Sequence, residues 1–350
     1  MLLSTMADGS IADRPDILFQ NQYDRIGVVE GGPHYSLWSP DGKKLASIVG
    51  TLSGLVLALF DTEDESFLTL PLRAPMYFGW SPNSERFAVH GSRKLQIIDD
   101  LIDGEFGLEL EGGSSRYFAP QFAPDGEGIA FVTEDDGKFF LNVHQFSNKT
   151  DTPVASFEGF VWFRWSPDGE SLAVLKGDSQ SAESEIWLVA ANGRSKMLLV
   201  RGRYQMFMWS PDGEKLLLSE VDKLQPFRAH WTVIDANAGV ITQLATFTPT
   251  LSLQQMILFF DQYSASHTFW SPDGQSIVFA GVLHTPISDE GPSARSIERI
   301  WVVDVDGDTL QTAPSRSDPL SSDQLANRVT TGTSLLLPGV LLALVGALFE

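Results

Sequence analysis

The sequence predicts an all-β chain built from a repeated unit of four short antiparallel strands. Two observations carry this. An aromatic residue followed by a Ser-Pro-Asp-Gly-like turn and a short apolar run is written six times, starting at Trp38, Trp80, Phe122, Trp165, Trp209 and Trp270. The first five copies lie 42, 42, 43 and 44 residues apart and the last gap is 61. A period in this range marks stacked supersecondary units, each too small to bury its apolar face alone.

The turn explains its own composition. Pro presets φ for the second position of a type I turn, Ser suits the first, Asp the third and Gly the fourth. The aromatic residue ends one strand, and a second strand follows at once: Leu45–Val49, Leu172–Leu175 and Leu216–Leu218. These runs are short, apolar and rich in β-formers, the pattern of strands buried on both faces. Third strands are expected at Leu55–Phe60, Leu95–Ile98, Phe139–Val143, Ile186–Val189, His230–Ile234 and Ile300–Val303. Fourth strands, such as Phe67–Leu72 and Val240–Thr246, lead into the next copy. Four strands in about 42 residues make one blade of a β-propeller.

The repeat resembles that of the TolB-like, WD40-like propellers, in which a Trp-Ser-Pro-Asp-Gly turn follows the first strand of each blade. Residues 38–42, 165–169, 209–213 and 270–274 match it fully. Asn83-Ser84 stands for Asp-Gly in the second copy, and Phe122-Ala123 for Trp-Ser in the third. The resemblance spans roughly residues 30–312. It implies a fold strongly and a function weakly, since such propellers serve many roles.

The expected organisation is an N-terminal tail (1–14), a propeller (15–312), a polar linker (313–332) and an apolar C-terminal segment (333–350). Seven blades are expected, six with a clear motif; six blades are the alternative. Ile17–Gln20 and Arg25–Glu30 read as two strands. With the apolar tail they would complete a seventh blade and remove the exposed edge of an open ring. The tail has a second reading as a membrane anchor, although its uncharged run is shorter than the ~20 residues of a spanning helix and Pro338 and Gly339 weaken a helix.

Composition fits a propeller. Its 350 residues are 43% hydrophobic and include nine Trp and 23 Phe, ample for a core divided among repeats. With 24 basic against 45 acidic residues, the net charge of −21 repels phosphate backbones and argues against nucleic acid as a partner. The absence of cysteine excludes disulfides and thiolate chemistry and leaves the compartment open.

The residues singled out are those of the repeat: Trp38, Asp41, Trp80, Phe122, Asp125, Trp165, Asp168, Trp209, Asp212, Trp270 and Asp273. The aromatic residues read as packing between blades, and each Asp as bonding its own turn backbone rather than a metal. Asp304, Asp306 and Asp308 lack the distant bidentate acid of a calcium loop. The six histidines form no His-x-x-x-His pair, and no Gly-x-Ser-x-Gly elbow is present. No catalytic residue, cofactor or metal is therefore expected. The function expected is a non-catalytic scaffold, monomeric and soluble, that presents loops to a protein partner. The alternatives are a propeller that binds peptide or glycan or gates a separate hydrolase, and a membrane-tethered propeller if the tail is an anchor. Two stretches break the pattern: the long gap before Trp270, where Leu253, Ile257 and Phe260 predict a short helix over 251–260, and the Ser- and Pro-rich link 285–298. Loops on a rigid scaffold are where binding usually resides.

Overall fold

A computed structural model describes residues 33–312, except 52–53, 64–66, 72–75, 92–93, 100–107, 111–118, 178–182, 226, 259, 261–263, 265–266, 285–297 and 306–309. The two N-terminal strands, the linker, the apolar tail and the link 285–297, all read from the sequence above, lie outside the described residues.

The first unit is β1 (Pro33–Trp38), β2 (Lys44–Thr51), β3 (Gly54–Asp61) and β4 (Phe67–Pro71). The second is β5 (Met76–Trp80), β6 (Phe87–Gly91), β7 (Lys94–Ile98) and β8 (Leu108–Leu110). The third is β9 (Gln121–Phe122), β10 (Gly128–Asp135), β11 (Lys138–Gln145) and β12 (Thr150–Glu158), and the fourth is β13 (Phe160–Trp165), β14 (Ser171–Gly177), β15 (Ser184–Ala190) and β16 (Lys196–Gly202). Each is a four-stranded sheet in meander order with antiparallel neighbours. The expected second, third and fourth strands are thus present to within three residues at either end.

The last sheet has seven strands: β17 (Tyr204–Trp209), β18 (Lys215–Val221), β19 (Ala229–Asp235), β20 (Ile241–Pro249), β21 (Ser276–Leu283), β22 (Arg299–Asp304) and β23 (Leu310–Thr312). It fuses the fifth and sixth units. Phe247 pairs with Ala229 of the fifth unit and also with Leu283 of the sixth, so β20 runs from one into the other. Pro249 then pairs with Gly281, while Trp270 bridges Ile277 and the Val278 N–H donates to the Phe269 carbonyl at 2.8 Å. The first strand of the sixth unit is therefore in two pieces on one partner, and the chain between them makes an excursion over residues 250–268. The long 61-residue spacing is this excursion. It holds α1 (Leu251–Leu258), the expected helix. Thr250 caps it, its hydroxyl accepting from the Leu253 N–H at 3.2 Å. Leu253, Ile257 and Phe260 are buried as their spacing predicts, and Phe260 meets Trp162 of β13 and Phe207 of β17 at 5.6 and 5.5 Å between ring centroids.

The core lies between sheets rather than inside one. Leu57 and Leu59 pack against Phe78 and Phe87 of the next unit, Ile97 against Ile129 and Phe131, and Leu141 against Leu172 and Val174. The second strands are sandwiched, so β6 is buried throughout and β14 and β18 are buried over four consecutive residues. The fourth strands β12, β16 and β20 are the more exposed, each opening with two to four exposed residues. The densest packing joins the fifth and sixth units: Trp231 is fully buried, stacked on Phe247 at 5.2 Å and ringed by Phe269 and Phe279.

The repeat aromatics tie units together by a bond as well as by area. The indole N–H of Trp80 donates to the carbonyl of Leu37 at 3.1 Å, Trp165 to Gln121 at 3.0 Å, Trp209 to Arg164 at 3.3 Å and Trp270 to Met208 at 3.4 Å. Each acceptor is the residue just before the repeat aromatic of the preceding unit. Phe122 has no N–H with which to continue the series, and it packs on Phe146 instead. The burial of these residues is unequal. Trp270 is 3% exposed, Trp80, Trp165 and Trp209 are partly buried, and Trp38 is 50% exposed, so the packing role expected for all six holds least for Trp38. Trp270→Ala should cost about 3–5 kcal/mol in urea unfolding, the range for a large buried side chain. Trp38→Ala should stay near the ~1 kcal/mol of an ordinary substitution; equal losses would contradict the packing described.

Candidate functional site

The repeat turn accounts for every Asp singled out in it. In the full copies the Ser hydroxyl donates to the Asp carboxylate at 2.5–2.6 Å, as in Ser39–Asp41, Ser166–Asp168, Ser210–Asp212 and Ser271–Asp273. The carboxylate also accepts the backbone N–H two residues on, from Lys43, Glu170, Glu214 and Gln275. Asp125 keeps only the bond from the Glu127 N–H, because Ala123 has no hydroxyl. Asn83 does the same work with a neutral oxygen, accepting from Ser81 at 2.7 Å. The fourth turn residue lies at positive φ, 74° at Gly42 and 76° at Gly213, which favours glycine. Ser84 takes that place at 62°, and its hydroxyl accepts the Asp41 N–H of the neighbouring turn at 3.0 Å.

These bonds set the acid response. Donation from the Ser hydroxyl, and then from the backbone N–H, holds Asp41, Asp168, Asp212 and Asp273 below the ordinary value of 3.8. A carboxyl with a lowered folded pKa contributes stability that is complete above its unfolded value and is lost as pH falls through the folded one. Stability should therefore fall below about pH 4. Asp212→Asn, which copies Asn83, should keep the turn at neutral pH and reduce the acid loss. Asp212→Ala should cost about 1 kcal/mol at pH 7. Urea midpoints at pH 7 and pH 3 check both.

Two further places hold chemistry that sequence motifs did not mark. The first is a cavity of about 230 Å³ walled by Gln121 and Phe122, by Arg164 and Trp165, by Phe207, Met208 and Trp209, and by Ser264, His267 and Thr268 on the returning leg of the excursion. It sits among the first strands of the third, fourth and fifth units. Arg164 donates to the Gln121 Oε1, and the Gln121 Nε2 is buried with no hydrogen-bond partner. Gln121 and Arg164 are 43 residues apart, one repeat, so only the stacking of units brings them together.

The second is the loop joining β18 to β19. Asp222 accepts the backbone N–H groups of Leu224 at 2.7 Å and Gln225 at 3.0 Å, which hold its carboxyl below the ordinary range. His230 lies 3.3 Å from Asp222 through Nε2 and 2.9 Å from the Thr246 hydroxyl through Nδ1. This Asp-His-Thr chain has the order of a hydrolytic triad. Gln243, however, also donates to the Thr246 hydroxyl, at 3.2 Å, and Thr246 lies on β20. The chain braces a loop. That loop carries Leu224 and Phe227, 91% and 80% exposed. His284 bonds Thr248 at 2.8 Å, and His144 bonds Asp151 at 2.7 Å. Among the described residues no group of three or more His, Asp or Glu is placed to hold a metal ion, and no helix is long and apolar enough to cross a membrane.

No family model and no curated protein sequence matches this chain. Solved structures do. An oligogalacturonate lyase in complex with manganese superposes with a TM-score of 0.52 at 15% identity, over 82% of this chain and 78% of its own. The hydrazine synthase of Kuenenia stuttgartiensis gives 0.51 at 15% identity, over 82% and 81%. TolB of Acinetobacter baumannii gives a looser 0.45 at 19% identity, over 81% and 66%. The fold is a β-propeller of four-stranded antiparallel sheets. At these identities the likeness is one of fold, and its members include enzymes.

Proposed function

We propose that this propeller is a non-catalytic scaffold that docks a protein partner through the β18–β19 loop. The observation that carries the reading is the pairing of exposure with bracing in that loop. Leu224 and Phe227 offer large apolar side chains to water. A single exposed apolar residue is ordinary on a protein surface. Here Asp222 holds the Leu224 and Gln225 backbone N–H groups, and the Asp222 N–H donates to the Arg228 carbonyl at 3.0 Å across the loop. Arg203, between β16 and β17, donates to the Asp222 carbonyl at 3.3 Å. A preordered loop loses less conformational entropy on binding than a loose one, and exposed aromatic anchors are what a partner's pocket takes.

The net charge of −21 adds a preference for a partner with a basic rim, since complementary fields speed encounter. The scaffold is read as monomeric. Tethering to a membrane through residues 333–350 is a separate proposal, testable by fractionating the chain with and without that segment.

The test is crosslinking in the native cell extract, with wild type and the double variant Leu224→Ser, Phe227→Ser compared side by side. The variant should keep its melting temperature, as both side chains are in water, and lose one discrete crosslinked partner at least tenfold, the effect of removing about 1.4 kcal/mol or more of binding. An unchanged crosslinking pattern would remove this loop as the docking site.

A further inference from the structure

The sixth unit leaves one face of its sheet open to water. We propose that residues 333–350 of the same chain pack on that face as two further strands, the start of a seventh unit, so that the apolar tail belongs to the core.

The face is marked by a position in the repeat. The residue eight places after the repeat aromatic is Ala46, Ala88, Ala130, Ala173 or Leu217 in the first five units, and each is at most 1% exposed. The cover comes from the chain that follows: Ala46 clusters with Phe78 and Phe87 of the second unit, and Ala88 with Ile129 and Phe131 of the third. In the sixth unit the equivalent residue is Val278, which is 41% exposed. It pairs across the strands with Val302, and the next pair on that face is Ala280 with Ile300, which is 60% exposed. The opposite face of the same sheet is closed, with Ile277 and Phe279 buried in the cluster shared with the fifth unit. Among the described residues no apolar cluster joins the sixth unit to the first. Large aliphatic side chains thus meet water at the position that five other units keep dry, an arrangement that burial would stabilise.

The chain itself selects the occupant. Residues 313–350 follow the sixth unit as the second unit follows the first. Within them, 334–349 carry no charge and are broken by Pro338-Gly339 into two apolar runs. Short runs apolar at every position are the pattern of strands buried on both faces. In the first unit, the first strand, its turn and the second strand occupy Pro33–Thr51, a span that 333–350 matches to within a residue. The polar residues 313–332 supply the reach. Crossing a four-stranded sheet takes about 15 Å, a fraction of what a chain of that length can span. A second copy placed on the same face would cover Val278 and Ile300 but leave its own tail in water. A tail packed here cannot also enter a bilayer, so tethering is the competing outcome.

The chain has no cysteine, so Ile300→Cys installs a single thiol on the open face. Its maleimide labelling in the folded full chain is compared with that of Leu224→Cys, on the exposed β18–β19 loop. The thiol at position 300 should label at least about tenfold more slowly, because labelling waits for the tail to lift. Adding Leu341→Asp and Leu342→Asp should restore fast labelling while the circular dichroism of the sheets is kept. These two are adjacent, so one of them meets the sixth unit whichever way the strand is turned. A photocrosslinker in place of Ile300, with the tail unchanged, should join a peptide from 333–350 of the same chain. Labelling as fast as at position 224 would overturn the assignment, as would protection that depends on protein concentration or survives the double substitution in folded protein. A crosslink to a second copy or to a peptide outside 333–350, or recovery of the folded full chain in the membrane fraction, would overturn it equally.

Discussion

The architecture depends on one repeated contact, the bond from a repeat tryptophan's indole N–H to a backbone carbonyl of the preceding unit. A four-stranded sheet of about 42 residues cannot bury both faces by itself, and an apolar interface alone would let neighbouring sheets slide. The bonds of Trp80, Trp165, Trp209 and Trp270 fix the offset, because each has a single acceptor at one register position. Once that offset is set, the turn of one unit meets the turn of the next. Asp41 bonds Ser84 across the first such junction, and the proline rings of the turns at Pro124, Pro167 and Pro211 stand where a side chain on the next turn's glycine would meet them. Packing between second strands then follows, and so does the convergence of side chains such as Gln121 and Arg164 that no local rule would bring together.

What could be read from the sequence divides along the same line. The turn was legible because its logic is local: Ser210, Pro211, Asp212 and Gly213 each satisfy a demand made within five residues. The helix over 251–258 was legible because Leu253, Ile257 and Phe260 share a face at helical spacing. The long gap announced an insertion, but not that the insertion splits the first strand of the sixth unit into Phe247–Pro249 and Phe269–Trp270, since either piece alone is too short to show a period. Trp231 carries no motif, yet it anchors the most aromatic part of the core. Trp38 carries the full motif and is half exposed, because the motif supplies a donor and a ring, while burial depends on what packs ahead of it. The cavity was not legible at all, as Gln121 and Arg164 are polar residues one repeat apart in positions that read as ordinary strand.

Rigidity is what the fold offers to function. The Asp222–His230–Thr246 chain is a hydrogen-bonded brace on the fifth unit, its hydroxyl also accepting from Gln243. The same bonds make a stiff platform for Leu224 and Phe227. The cavity is a second product of stiffness, its aromatic walls held in place by the indole bonds that hold the sheets. The loop proposed for docking and the cavity both use the fifth unit, where the excursion departs and the aromatic packing is densest.

The most direct test of this account is hydrogen–deuterium exchange at the indole N–H groups, followed by NMR on protein labelled with ¹⁵N at tryptophan. Trp80, Trp165, Trp209 and Trp270 should exchange slowly, with Trp270, the most buried, among the slowest, and half-exposed Trp38 should exchange at once. If those four exchange as fast as Trp38, the bonds between units do not hold the sheets in register, and the fold must draw its order from apolar packing alone.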